Sequence, residues 1–434
     1  MAECLPTLQG QMVGALACQK DSYRRTMEAK VVSCVKYSPP KVNGGPKKKK
    51  ATSDESVINS DSWLVEFSDS VLFPEGGGQP CDHGSVVPLS PPDSKPIPVT
   101  RIERQGLKCV YFVGEDLEPG IVVRQDVDFK RRWDHMQQHT GQHLLSAIMD
   151  TYDNLDTVGW GMGADGGMNY VDLPRKPSQS EMQAIQDRCN EAIRQNLSIT
   201  VTTPDDNSST SDHDPEKGLV RVISIGDIDQ NACCGTHLAQ TSHISLILLH
   251  HTQPIHGKNC RLYFSVGDRA IKASAESINA LRSVAQTISS SSDPTELIAS
   301  VSRINDTAAD LKRRERNLLS EIAKYEGDRV KAILQSRKKA WVCRPSGTLD
   351  FLNMVIFEVR DTAQESGVVV LAAGEGQAGG PIVVVGERNL VSEVVKKIQE
   401  VMPSVKGGGK GERWQGKVKE WKKEDLEAIR MLVE

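Results

Sequence analysis

Residues 133–147 read Trp133-Asp134-His135-Met136-Gln137-Gln138-His139-Thr140-Gly141-Gln142-His143-Leu144-Leu145-Ser146-Ala147, and here the spacing of apolar residues changes. Met136, His139, Thr140, His143, Leu144 and Ala147 fall on one stripe with a period of about 3.6, which predicts a helix. Upstream the texture is that of short strands: 31–35, 62–67, 83–88, 97–104, 107–113 and 121–126, separated by Gly, Pro and Asp. Downstream, Pro177-Ser178 starts a helix over 179–195, and strand-like runs follow at 197–203, 219–225, 243–250 and 260–266. The expected fold class is therefore α+β. A small β-barrel domain occupies 28–130, a mixed α+β domain 131–270, a helical hairpin 271–340 and a small α/β domain 341–434. In the last, strands are expected at 353–359, 367–373 and 381–386, with a helix at 389–402. Residues 1–27 show no clear periodicity and are expected to be disordered.

The 434 residues carry a net charge of −4, so contacts with nucleic acid must come from local basic patches. No run of 18 or more apolar residues exists, and the N-terminus makes a poor secretory signal. Ten cysteines scattered through a large chain do not make the disulfide framework of a small secreted domain. A reducing compartment, the cytosol, is expected, with no membrane contact. The run Lys47–Lys50 and the polar stretch Pro204–Lys217 read as solvated loops.

Two later regions have their own signatures. Asp293, Pro294 and Glu296 form a helix start. Behind it Val301, Ile304, Ala308, Leu311, Leu318, Ile322 and Tyr325 alternate spacings of three and four, broken at Glu315. That stripe predicts packing on the helix at 268–289, as an intramolecular hairpin, or on another subunit; the oligomeric state is left open between monomer and dimer. Between Lys406 and Lys423, seven Lys/Arg stand against two Glu, a net of +5. This patch reads equally as a solvated basic tail with a core tryptophan or as an RNA contact, in which Lys406, Lys410, Arg413 and Lys417 are expected to meet phosphates and Trp414 to stack on an exposed base.

The residues that carry chemistry are histidines and a cysteine. His139 and His143, four apart on a helix, lie on one face within reach of one ion. Cys233-Cys234-Gly235-Thr236-His237 offers a thiolate and an imidazole about 90 residues later. Together they form a Cys/His₃ set suited to zinc. His135 shares the helix face, but three ligands from one straight helix would span about 12 Å. Only an adjacent pair can bind, and composition leaves both pairs open. Cys234 reads as a buried small hydrophobe pointing away from Cys233. A second motif, Phe73-Pro74-Glu75-Gly76-Gly77-Gly78-Gln79-Pro80, lets backbone approach a ligand closely. It lacks the Lys-Ser/Thr of a Walker loop, and a barrel corner is its plainer reading.

These motifs, in this order, resemble the free-standing alanyl-tRNA editing proteins, relatives of the editing domain of alanyl-tRNA synthetase. Residues 73–80 look like their glycine motif, His139-xxx-His143 and Cys233-xxx-His237 like their two metal motifs, and 407–411 like the end of their C-terminal domain. The resemblance assigns His139, His143, Cys233 and His237 as ligands of one zinc ion per chain. It implies hydrolysis in trans of tRNA(Ala) mischarged with serine or glycine. Gln79, His143 and Cys233 are then the catalytic candidates. Ser70, Glu75, Gly77, Gly78 and Gln79 are the substrate-binding ones, with Ser70 and Gln79 reading the serine hydroxyl. Ser70 stands where a Thr is expected, and Cys234 where the family commonly has Gly. The alternatives are a zinc-containing tRNA-binding protein without catalysis and a metal-free hydrolase. A zinc peptidase lacks its general-base Glu, since 140–142 are Thr-Gly-Gln.

Overall fold

The computed structural model describes residues 9–38, 62–202 and 221–433. Lys47–Lys50 and Pro204–Lys217 lie outside them. The chain divides into two compact units, Met1–Ala280 and Leu281–Glu434. Among the described residues no helix is long and apolar enough to cross a membrane.

The first unit opens with α1 (Ala17–Lys20). Residues 9–27, expected to be disordered, in fact bury Val13, Leu16, Cys18 and Gln19. Their short apolar spacing satisfied neither period, which is why the sequence hid them. Seven strands follow: β1 (Thr26–Lys36), β2 (Trp63–Phe67), β3 (Gly84–Pro88), β4 (Ile97–Val99), β5 (Arg101–Gln105), β6 (Lys108–Val113) and β7 (Val122–Val127). They form one sheet of order β4-β3-β7-β1-β2-β6-β5. The sheet curls until β4 approaches β6, a nearly closed barrel. Alternate residues fill it, Val31, Val65, Val86, Val99, Ile102 and Tyr111 among them.

Asp128 then caps α2 (Phe129–Met149), accepting from the backbone N–H groups of Lys130 and Arg131. After it come β8 (Gly159–Gly161), β9 (Asn169–Leu173), α3 (Gln179–Arg194), β10 (Ile199–Thr202), β11 (Val222–Ile225), β12 (Asp229–Ala232), β13 (Ile247–Pro254) and β14 (Cys260–Val266). A four-stranded antiparallel sheet, β13-β14-β9-β8, and a three-stranded one, β10-β11-β12, share a core with α2 and α3. Gly141 lets α2 approach Val266 of β14 so closely that an added Cβ would lie 2.6 Å from a methyl. The division between the units falls within α4 (Gly267–Thr287).

The second unit holds α5 (Pro294–Ser336), β15 (Lys339–Arg344), α6 (Leu349–Ser366), β16 (Val368–Ala373), β17 (Gly380–Gly386), α7 (Arg388–Val401), β18 (Lys406–Gly408), β19 (Arg413–Val418) and α8 (Lys423–Val433). The sheet order is β15-β16-β17-β19-β18, with only β15 and β16 parallel. Helices α5 and α6 cover one face, α7 and α8 the other.

Three expectations are corrected here. Residues 353–359 belong to α6, not to a strand. Val355, Ile356 and Val359 suggested β structure, but with Phe351, Leu352 and Ala363 they make a helical stripe capped by Thr348. The 301–325 stripe is not buried within the chain: Val301, Ile304, Leu311, Leu318 and Tyr325 are exposed, so of the two partners expected for it the structure supports no intramolecular seam along its length. Helix α5 is buried instead through Ala323, Gly327, Val330 and Leu334, where small residues admit α6. The basic tail is not a tail: Trp414 and Trp421 belong to the core under α7 and α8.

Candidate metal centre and its surroundings

Helix α2 is buried on nearly every side, and it carries His139 and His143 one turn apart with ring centroids separated by 5.3 Å. The segment after β12 brings Cys233 and His237 against them. One ligand atom from each of His139, His143, Cys233 and His237 lies within 4.8 Å of all the others. Cys233 Sγ is 3.4 Å from His139 Nε2 and 3.2 Å from His237 Nε2. Zinc bonded to nitrogen and sulfur in a tetrahedron separates its ligands by about 3.3–3.6 Å, so the donor set fits that ion. His135 stays outside, buried, with Nδ1 unpartnered among the described residues.

The far side of each ring is anchored. The Nδ1 of His139 lies 2.9 Å from Gln79 Oε1, that of His143 3.1 Å from Asp229 Oδ2, and that of His237 3.3 Å from Thr140 Oγ1. Nδ1–H groups donating to these three acceptors leave the Nε2 lone pairs for the centre, the usual logic of outer support at metal sites. Burial alone would push the Cys233 thiol up, but the imidazoles of His139 and His237 beside it hold it far below the usual thiol range. Burial works against a charged His143, yet Asp229 and Cys233 raise it to about 9. Burial, aided by the neighbouring His139, pulls His237 down to about 3.

The Cys233–His237 loop is held from two directions. Gly235 has no alternative: a Cβ there would sit 2.3 Å from the His139 ring. Thr236 N–H donates to Gln79 Oε1 (3.0 Å), and Gln79 Nε2 returns a bond to Thr236 Oγ1 (2.8 Å). From the other side Arg221, buried, donates to the carbonyls of Gly235 (2.8 Å) and Gln19 (2.6 Å). Gln19 Nε2 donates to the Cys234 carbonyl (2.8 Å). The N-terminal segment thus grips the loop about 215 residues away.

The glycine motif forms the neighbouring wall. Gly76 and Gln79 exchange backbone bonds of 3.1 Å around Gly77 (φ +60°) and Gly78 (φ +81°), left-handed positions that suit glycine. A Cβ on Gly77 would lie 2.9 Å from Cys234 Sγ, and one on Gly78 2.8 Å from the Trp160 ring. Trp160 in turn lies over His139, centroids 4.9 Å apart. At the motif's end, the buried Asp82 pairs with Arg132 of α2 and accepts from Phe73 N–H, tying the wall to the helix that carries the histidines.

The other expected site residues divide. Gly77 and Gly78 are exposed beside the centre, and Glu75 is exposed on the same turn. Gln79 is 0% exposed and bonded to His139 and Thr236. Ser70 is buried within the barrel, its hydroxyl donating to the Leu72 carbonyl and lying against Tyr111 Oη; it does not face the metal cluster. Lys406, Lys410, Arg413 and Lys417 are exposed, whereas Trp414 is only 6% exposed and cannot stack on a base. The sequence reading missed Gln19, Trp160, Arg221 and Asp229, and took Thr140 and Thr236 for spacers. One signal was present: Arg221 heads an otherwise strand-like run, Val222–Ile225, where a charge needs a reason.

Comparison with known proteins bears on this geometry. A family profile described as the threonyl and alanyl tRNA synthetase second additional domain matches residues 220–263, the stretch containing Arg221, Cys233 and His237. The alanyl-tRNA editing protein Aarsd1 of Danio rerio is 32% identical over 426 residues, covering 96% of this chain and 97% of its own length. This chain belongs to the alanyl-tRNA editing proteins. The alanyl-tRNA editing protein Aarsd1-B of Xenopus laevis is 30% identical over 410 residues, 93% of each chain. For an alanyl-tRNA editing protein of this length, the alignment runs through both units and not the metal centre alone.

Proposed function

We propose that the chain hydrolyses the ester joining a wrong amino acid to tRNA(Ala), acting in trans on the seryl and glycyl forms. One zinc ion is held by His139, His143, Cys233 and His237. The observation that carries this reading is the convergence of three anchored imidazoles and one thiolate beside an open glycine turn. Zinc bound there supplies Lewis acidity toward an ester carbonyl or a water molecule. The chain's own residues do the rest. Gln79, Asp229 and Thr140 fix the three rings. Trp160 and the Gly77-Gly78 turn wall the site, and Lys406, Lys410, Arg413 and Lys417 meet tRNA phosphates.

The need for such an enzyme follows from selectivity. A small apolar synthetic site rejects an analogue that merely adds a hydroxyl by only about 10²-fold. Deacylation of Ser-tRNA(Ala), Gly-tRNA(Ala) and Ala-tRNA(Ala) by the purified protein tests the proposal. Hydrolysis of the first two with Ala-tRNA(Ala) spared is expected; equal rates on all three contradict it.

A second reading rests on the four protein donors, since closed four-ligand sites are those of structural zinc. It makes the chain a zinc-containing tRNA-binding protein without catalysis. Zinc-loaded protein that binds tRNA(Ala) and hydrolyses none of the three esters would favour it.

A further inference from the structure

We propose that the segment from Gln19 to Tyr23 is a strap that joins the two halves of the metal centre. Gln19, Ser22 and Tyr23 act in it as positioning residues and set the affinity for the ion. This rests on the reading that the four-ligand cluster holds a metal.

The ligands come from two separate pieces of chain. His139 and His143 stand on α2, whose own hydrogen bonds fix its geometry. Cys233 and His237 stand on a loop, and residues 233–239 belong to no strand or helix. The backbone polar groups of such a loop must find partners elsewhere, and the strap supplies three. Gln19 Nε2 donates to the Cys234 carbonyl (2.8 Å), Ser22 Oγ accepts from His237 N–H (3.3 Å), and Tyr23 Oη accepts from Ala239 N–H (3.0 Å). The first bond sits next to the ligand Cys233, and the second is on the ligand His237 itself.

The strap is fastened to the other half as well. Arg132 Nη1 of α2 donates to the Ser22 carbonyl at 2.9 Å. Ser22 therefore meets the helix of His139 and His143 through its backbone and the loop of His237 through its hydroxyl. Tyr23 repeats the pattern. Its ring lies edge-on to Trp133 of α2, centroids 6.1 Å apart, while its hydroxyl holds the loop and lies 2.7 Å from His243 Nδ1. Gln19 keeps the strap in shape: its Oε1 accepts from the N–H groups of Gly14 (2.6 Å) and Leu16 (3.3 Å). Its one amide thus spends the acceptor on its own turn and the donor on the metal loop. Gln19 and Ser22 are both buried, so losing either bond leaves a dehydrated partner unsatisfied.

The test is a cobalt(II) titration of the chelator-stripped full chain, followed by the visible absorption of the thiolate-bound ion. Gln19→Ala is expected to weaken binding about 10-fold or more, the scale of lost outer supports at metal sites. Gln19→Glu keeps the acceptor for Gly14 and Leu16 and removes the donor to Cys234, so it should bind as weakly as Gln19→Ala. Ser22→Ala and Tyr23→Phe, which keep the packing, should each weaken binding about 3-fold or more, one hydrogen bond's worth. Wild-type affinity in Gln19→Glu beside weak binding in Gln19→Ala would confine Gln19 to its own turn and overturn its hold on the loop. Unchanged affinity in both Ser22→Ala and Tyr23→Phe would overturn the strap, even where Gln19→Ala fails to fold. Absence of cobalt binding by the unmodified chain would instead sink the metal reading itself, so the two failures are separable.

Discussion

Around Cys233 the polar side chains are buried and each has a partner: Gln79 on His139, Asp229 on His143, Thr140 on His237, Arg221 on the loop carbonyls. Along β18 and β19 the polar side chains are exposed, and Lys406 and Lys417 face each other without an acid between them. The first region is pre-organised. Its groups are dehydrated and fixed, so a metal entering it meets ligands already oriented. The second keeps its cations exposed to solvent and free to adapt. The contrast separates residues whose loss should destroy the centre from those whose loss should only loosen a grip.

The largest effect is expected from His143→Ala. The variant should retain little zinc after dialysis against a chelator and lose hydrolysis of Ser-tRNA(Ala); near-stoichiometric zinc by atomic absorption would break the four-ligand assignment. Next come the outer supports. Gln79→Ala and Asp229→Ala should each weaken zinc binding about 10- to 100-fold in competition with a chromogenic chelator. Unchanged affinity in Gln79→Ala, with altered choice between seryl and alanyl esters, would return Gln79 to the substrate side.

The same contrast can be sharpened in the second unit through stability. Trp414→Ala removes a core side chain and should cost about 3–5 kcal/mol in denaturant unfolding, while Phe357→Ala, at the surface, should stay within about 0.5 kcal/mol. Similar costs for both would undo the distinction between core and surface. The smallest effect concerns His135. Burial first, and then Arg131, hold it down at about 3, well below the 6.5 of an unfolded chain. The unfolded state therefore binds the extra proton between those values. Stability from the neutral ring is fully present above pH 6.5 and drains away as the pH falls toward 3. His135→Leu should flatten this acid limb by up to one proton's slope, measured by urea unfolding at several pH values. An identical slope would mean that the ring is not held neutral.

The degree to which the sequence disclosed these regions follows from the same contrast. A zinc site demands particular ligands at particular spacings, so the helix histidines, Cys233 and His237 stood out in the sequence, and the family resemblance chose His139 and His143 over His135. Their supports did not, because Gln19, Arg221 and Asp229 act through backbone carbonyls or single bonds between segments far apart in the chain, which no local period encodes. The barrel was readable from alternation along β1 to β7. Helix α6 was misread because its Val355, Ile356 and Val359 suit a strand as well as a helical face. In the basic segment composition pointed to Trp414, but alternation along β19 turns Arg413, Gln415 and Lys417 outward and Trp414 inward. The period of two was the information that composition discarded. Ser70 was singled out because the family resemblance puts a Thr at that position; Tyr111 and the Leu72 carbonyl hold its hydroxyl inside the barrel.

The most direct measurement is a zinc titration of chelator-stripped protein, with hydrolysis of Ser-tRNA(Ala) followed in parallel. Recovery of hydrolysis in proportion to zinc, complete at one ion per chain, is the predicted result. Full hydrolysis by zinc-free protein would contradict the account and leave the three anchored imidazoles and Cys233 to orient water by themselves.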